Sequence, residues 1–430
     1  MTCAYLADLT PFRTSVRNRL LNFWLLHEDV QFAWELMLGK GELLRGLMDT
    51  LPTTSLVLPE RVRCFLKETK EDRILRAVDS KKKTVVIYYP GNMYTESMGL
   101  IPDKLREKGY NVVILAGFAE AELYKTLANT ISPLACIILA ANRNVTEGPK
   151  LIQFTHDIHD SPVSNVNLQM EMLPLVNYLF LPNCYVVSRV KKQIWEGRKK
   201  FYEGKKPHKK VCLIPGGYPK LDSNLRYFED QKEHSNTIIY ATTILGDLDD
   251  IASLSNHGER IIGSILERLE DFSLIFRPHP STVHAQQVKR IVAKYRRHPR
   301  FAFDDNPHHY MSEYSKSALM ISDMSGTAYT YAFSTLRPVV FFSHNEPEVA
   351  RRFGTYQFFI DRNKVGCVAQ NTEELISGIK MLLAKRGEYE SKIRAYRDST
   401  IYNVGRSEDY FVQNIEYILE NRRHPDWVYV

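Results

Sequence analysis

Paired cysteines are absent. The chain has 430 residues and six cysteines (Cys3, Cys64, Cys136, Cys184, Cys212 and Cys367), and none forms a CxxC pair. Several stand in apolar, strand-like runs, which reads as buried reduced thiols and a cytosolic setting. Long apolar runs are missing too. Residues 131–141 fall well short of the roughly 18 needed for a membrane span, and Pro182 and Asn183 interrupt the run over 175–187. The first residues lack the apolar core of a signal peptide. The expectation is a cytoplasmic protein that meets a membrane, if at all, from the cytoplasmic face. Charge of one sign is not in large excess: 57 basic against 50 acidic residues give +7. That balance does not by itself indicate nucleic acid. Internal repeats and low-complexity tracts are also lacking.

What is present is ordinary globular material, with 44% hydrophobic and 25% charged residues. The length predicts two domains. Residues 1–80 carry apolar positions at helical spacing over 16–26, 30–38 and 42–48 and read as an N-terminal helical segment. From Lys81 the pattern alternates. Strands are predicted over 84–89, 111–116, 135–140, 151–155, 178–181, 185–188 and 211–214, with helices over 100–108 and 119–128. This is a first α/β domain over 81–215. Pro215, Gly216, Gly217 and Pro219, then a polar run to Ser235, mark a linker over 216–236. A second α/β domain follows over 237–400. Its predicted strands lie at 237–241, 273–276, 301–303, 318–321 and 339–342. The remaining 401–430 reads as a C-terminal helix, packing back on the first domain. Two doubly wound, Rossmann-like domains would face a central cleft with their strand carboxyl ends, where α/β sheets bind ligands.

Chemistry concentrates at those strand ends. Ser322, Asp323, Ser325, Gly326 and Thr327 lie between an apolar strand and a helix that ends at Arg337-Pro338. Ser325 can cap that helix, Gly326 permits close backbone approach, and the free amides of 325–327 suit an anion. An ordinary capping turn has the same pattern. Arg277-Pro278-His279-Pro280 places a guanidinium and an imidazole at another strand end. Gln153-Phe154-Thr155-His156-Asp157-Ile158-His159-Asp160 offers two histidines. Either can serve as a general base oriented by Asp157 or Asp160, and the same four residues are also metal-ligand types. A base fits the strand-end position better than a metal. Lys220, after the glycines of the domain junction, can reach a phosphate. A basic run over 189–210 (Arg189, Lys191, Lys192, Arg198, Lys199, Lys200, Lys205, Lys206, Lys209, Lys210), interleaved with Trp195, Phe201 and Tyr202, reads as a solvated face or a contact with an anionic membrane or polymer.

Taken in order, these pieces resemble the CDP-glycerol glycerophosphotransferase family, the teichoic-acid primases and polymerases. The matching stretches are Leu151 through His156, Gly217-Tyr218-Pro219-Lys220-Leu221-Asp222, Thr237 through Thr242, Arg277-Pro278-His279-Pro280, Asp304-Asp305-Asn306-Pro307, Ser322-Asp323-Met324-Ser325 and Arg337-Pro338. The resemblance covers about residues 80–390 of the chain. The resemblance implies a GT-B fold with the acceptor in the first domain and a CDP-alcohol in the second. It implies a hydroxyl attack on the β-phosphate that releases CMP, with His156 as base and His279 at the phosphates or leaving group. Ser325 and the Gly326 and Thr327 amides would hold the diphosphate, with Arg277 as charge partner. Ser322, Asp323, Thr330 and Lys220 complete the implied donor site; Asp157 and His159 are secondary candidates. No metal or cofactor is required, and nucleic acid is not a partner. The chain departs from the family pattern in three places: Asp157 stands where a glycine is usual, Gly326 at the second serine of the D-Y-S-S motif, and Thr330 at an acidic position. A nucleotide-sugar glycosyltransferase on the same fold, an epimerase of the non-hydrolysing type, and a non-catalytic polymer- or membrane-binding protein are the competing readings.

Overall fold

A computed structural model describes residues 70–89, 96–116, 135–139, 150–162, 176–201, 210–230, 236–246, 248–306, 308 and 310–430. Residues Met1–Ser80 and Lys81–Val430 are two compact units. In the first, the described part holds a helix, Lys70–Ala77. The helices predicted over 16–26, 30–38 and 42–48 lie outside the described residues, as does the one over 119–128.

The second unit contains two sheets. The first is built from β1 (Thr84–Tyr89), β2 (Asn111–Ala116), β3 (Ala135–Leu139), β4 (Lys150–Phe154), β5 (Tyr178–Leu181) and β6 (Cys212–Pro215). The second holds β7 (Thr237–Ala241), β8 (Ser273–Arg277), β9 (Phe301–Phe303), β10 (Ser317–Ser322), β11 (Val339–Phe342) and β12 (Gly366–Ala369). A last strand, β13 (Val428–Tyr429), returns to the first sheet. The orders are β13-β6-β5-β4-β3-β1-β2 and β12-β11-β10-β7-β8-β9. Every pairing is parallel except β13 with β6. Near-continuous apolar strands such as Thr84–Tyr89 are what sheets covered on both faces require.

In the second sheet the chain starts at β7 in the middle, runs outward to β9, then restarts at β10 on the other side of β7. The β7/β10 boundary is therefore a point where strand order reverses, and the adjoining carboxyl ends splay apart there.

The 185–188 strand is corrected: Tyr185 begins instead within the helix Cys184–Phe201. Its β-branched pair looks like a strand, but Val186, Val190 and Ile194 continue at helical spacing and are all buried. Asn183 secures the start, its Oδ1 accepting the Val186 N–H at 2.9 Å. The stretch read as a linker also has structure, since Pro219–Asp230 is a helix. Proline at its first position suits a helix start, and Leu221 and Asp222 are buried.

The C-terminal helix Ser407–Leu419 lies over the first sheet. Its Phe411, Val412, Ile415 and Ile418 share a core with Ile152, Phe154, Phe180 and Ile214. The Phe411 ring meets Phe154 at 5.1 Å and Phe180 at 5.6 Å, both edge-on. Each buried ring of this kind stabilises by about 1.5–3 kcal/mol. Beyond the helix, Val428 pairs with Leu213, and Val211 and Val430 exchange backbone hydrogen bonds of 2.9 Å.

Candidate active site

β4 ends at Phe154, and the chain passes through buried Thr155 to His156 at the carboxyl edge of the first sheet. The His156 backbone is held from across the junction, where the Tyr218 hydroxyl donates to its carbonyl at 2.6 Å. Tyr218 is itself fixed, its N–H donating to Ser407 Oγ at 2.9 Å. Gly217 makes that turn with φ +101°, a left-handed backbone where a Cβ would also sit 2.3 Å from Ser407 Oγ and from the Tyr402 carbonyl oxygen. Glycine is thus required here.

Surrounding protein, then the charges of Lys220 and of His279, lower His156 to about 3. The residue as a whole is nevertheless solvent-exposed. Both hold for a side chain on a cleft wall. The result is an imidazole neutral at pH 7 and reachable by a substrate. The charge of His279 acts on it as well, although the two histidines come from different sheets.

His279 follows β8 and is half-buried. Its Nδ1 accepts the Ser281 N–H at 3.2 Å, at the start of the short turn Pro280–Thr282. Accepting there leaves the neutral ring's proton on Nε2. Burial lowers its pKa. Arg277, the last residue of β8, forms a close ion pair with Asp304, both mostly buried. The Arg277 guanidinium stands 5.8 Å from the centre of the Tyr310 ring. Lys220 Nζ lies 4.5 Å from the same centre. Burial brings Lys220 down to about 8; Glu96 and Asp157 pull it up, and Arg277 pushes it further down. The cleft thus gathers His156, Lys220, His279 and Arg277, with Glu96 and Asp157 as opposing charges.

The turn after β10 differs in detail from expectation. The helix Thr327–Thr335 is capped by Gly326, not Ser325, and the Thr327 N–H makes only a long 3.4 Å contact to Ser325 Oγ. Asp323 is not a ligand-facing group. It is buried and accepts from the Thr243 N–H (2.9 Å), the Ser253 N–H (3.0 Å), Ser253 Oγ (2.8 Å) and the Met324 N–H (2.8 Å). Those bonds saturate its oxygens and tie the turn to the start of the helix Ser253–Arg268. Thr330 is buried within its own helix, its hydroxyl directed back to the Gly326 carbonyl at 3.4 Å. Ser322 Oγ and Thr242 Oγ1, at the ends of adjacent β10 and β7, are buried with no hydrogen-bond partner among the described residues.

His159 is a second correction. It is 1% exposed, with Nδ1 2.9 Å from Asp160 Oδ1 and Nε2 2.9 Å from the Tyr396 hydroxyl. Tyr329 packs on its ring at 4.3 Å. Asp160 accepts from the Gln357 and Phe358 N–H groups and from Arg189 Nε. His159 and Asp160 therefore join the two halves of the unit and do not line the cleft as bases. Arg189 is drawn into the same cluster, its guanidinium 3.7 Å over Tyr356, so the basic run loses its first member to the interior. Lys191, Lys192 and Trp195 remain exposed, and the side chains beyond Glu196 in this helix lie outside the described residues. Among the described residues no cluster of metal-ligating side chains occurs, and no helix is long and apolar enough to cross a membrane.

Sequence reasoning missed Tyr218, Glu96 and Tyr310. Tyr218 was inside a recognised stretch, but nothing in one dimension says that its hydroxyl reaches residue 156. Glu96 stands in a short helical turn after β1, and Tyr310 opens the helix Tyr310–Lys316 after β9.

Among curated proteins none matches this chain. Solved structures do. The wall teichoic acid polymerase TagF superposes with TM-score 0.55 at 16% identity, over 84% of this chain and 96% of that one. A His-to-Asn variant of TagF soaked with CDPG gives 0.58 at 16% identity, with the same coverage. A putative UDP-N-acetylglucosamine 2-epimerase from Listeria monocytogenes gives 0.51 at 13% identity, over 80% of this chain and 99% of that one. These likenesses establish the fold, a GT-B arrangement of parallel sheets. The model of the family described as CDP-Glycerol:Poly(glycerophosphate) glycerophosphotransferase matches residues 144–417, more than half of the chain and a range that includes His156, Lys220, Arg277 and His279. The chain therefore belongs to the CDP-glycerol:poly(glycerophosphate) glycerophosphotransferase family and is a transferase.

Proposed function

We propose that the protein transfers a glycerol-phosphate, or a related polyol-phosphate, from a CDP-activated donor to a hydroxyl of a surface-glycopolymer acceptor, releasing CMP. The single observation that carries this reading is the neutral, solvent-reachable His156 set in the same cleft as His279, Lys220 and Arg277. The acceptor hydroxyl passes its proton to His156 as its oxygen attacks the β-phosphorus. A new O–P bond forms, the diphosphate bridge breaks, and CMP departs with the bonding electron pair. His279, with its proton on Nε2, donates to the phosphate oxygens or to the leaving group. Lys220 supplies the compact charge, and the amide end of the Thr327–Thr335 helix supplies oriented dipoles. Such a reaction asks for positioning and charge stabilisation more than covalent chemistry. The protein works from the cytoplasmic side, where CDP-linked donors are made, in peripheral contact with the membrane.

The test is CMP release from CDP-glycerol and CDP-ribitol in the presence of a membrane acceptor. Turnover with one of them is expected. His156→Ala and His279→Ala should each lower it by about 10²–10⁴-fold without a change in melting temperature. Release of CMP from neither donor would count against the reading, and full activity in either variant would remove that histidine from the mechanism.

A further inference from the structure

Asp157 reaches across the cleft to the turn that opens the Thr327–Thr335 helix. A Cβ placed on Gly326 would lie 2.3 Å from Asp157 Oδ1, 2.7 Å from its Cγ and 3.1 Å from Oδ2. The carboxylate thus fills the volume that any side chain at 326 would need. That helix has no acidic residue in its own first turn and no side-chain cap. The negative group at its positive end is supplied from the other sheet. Asp157 also acts on Lys220, the cation of the same cleft.

We propose that Asp157 is a specificity-determining residue that sets how much negative charge the donor cradle accepts. This rests on the reading of the cleft as a CDP-donor site. The carboxylate competes with phosphate for the helix end and takes up part of the Lys220 charge. A diphosphate diester, with one ionised oxygen on each phosphate, is tolerated beside it. Free CDP and CTP carry further charge on a terminal phosphate and are disfavoured. The cradle would so distinguish the activated alcohol from the nucleotides that share its base. Gly326 is the other half of the device, because a Cβ there would displace the carboxylate from the position it holds.

Titration calorimetry with CDP-glycerol and CTP, on the full chain and on Asp157→Asn, tests this. The wild type should prefer CDP-glycerol. Asp157→Asn should reduce that preference by about tenfold, the weight of one like charge at a partly solvated distance. An unchanged ratio, or a CTP affinity that falls, would overturn the proposal while leaving the donor reading intact; binding of neither ligand by the wild type would overturn both. The contact has its own arm. Gly326→Ala should lose most CDP-glycerol binding, and Asp157→Gly/Gly326→Ala should recover it. Additive losses in the double variant would show that the two positions do not share this space.

Discussion

In the proposed mechanism, Lys220 is the residue whose protonation donor binding depends on most directly. Its pKa of about 8 lies within reach of ordinary assays. The sign is simple: the ammonium is charged below that value and neutral above it. Donor binding should therefore weaken as pH rises through about 8, seen as a rising KM for the CDP-linked donor. In Lys220→Arg the guanidinium stays charged, so this alkaline rise should disappear even if turnover falls. Persistence of the same limb in the variant would assign it to another group. His156 shows the opposite condition. Held at about 3, it is already deprotonated across this range and adds no acidic limb near neutrality.

At the scale of elements, the C-terminal helix carries an unusual share of the load. It is the last helix in the chain, yet it closes the core of the first sheet, and Phe411 sits at its centre against Phe154 and Phe180. Phe411→Ala should cost about 3–5 kcal/mol. The same helix positions the site: Ser407, its first residue, holds the Tyr218 N–H, and Tyr218 holds the His156 carbonyl. Turnover should therefore suffer in Phe411→Ala at temperatures where circular dichroism still reports folded protein. A variant with full activity and lowered stability would uncouple the helix from His156.

How legible these elements were depends on what defines them. Periodicity located most strands of both sheets within a residue or two, because buried parallel strands are apolar without interruption. It failed at Tyr185, where three strand-like residues open a helix whose signal lies in the longer spacing to Ile194. The strand ends bearing His156, Arg277 and His279 were legible because proline, glycine and polar residues punctuate them. Asp323 and His159 were misread for a common reason. A carboxylate and an imidazole near a site look alike in sequence whether they face a ligand or are saturated by neighbours, and here Ser253, Thr243, Tyr396 and Asp160 satisfy them.

For the molecule as a whole, the cluster around Asp160 decides whether Lys81–Val430 behaves as one body. Burial alone would raise the Asp160 carboxyl. The hydrogen bond and charge interaction with His159, the Gln357 N–H and Arg189 outweigh it and hold the group below its ordinary range. A carboxylate lowered on folding contributes stability that is present above the unfolded pKa, about 3.9, and is lost as pH falls through the folded one. Acidification should therefore loosen the two halves here. Asp160→Ala, which removes the carboxylate partner of Arg189 and leaves the Gln357 and Phe358 amides without their acceptor, should cost about 3–5 kcal/mol. By calorimetry it should also give two thermal transitions where the wild type is expected to give one. One sharp transition in the variant would mean that the halves cohere through other contacts.

The return of Val428 and Tyr429 to the edge of β6 has a consequence for biosynthesis. Ribosomes deliver the amino end first, so the half built on the first sheet waits uncovered while the half built on the second emerges and folds. The first sheet's edge strand β13 and the helix Ser407–Leu419 come after the whole second sheet in the sequence. A nascent chain stalled before residue 407 would carry a complete second sheet and a first sheet with a bare apolar face, a natural substrate for chaperones and proteases.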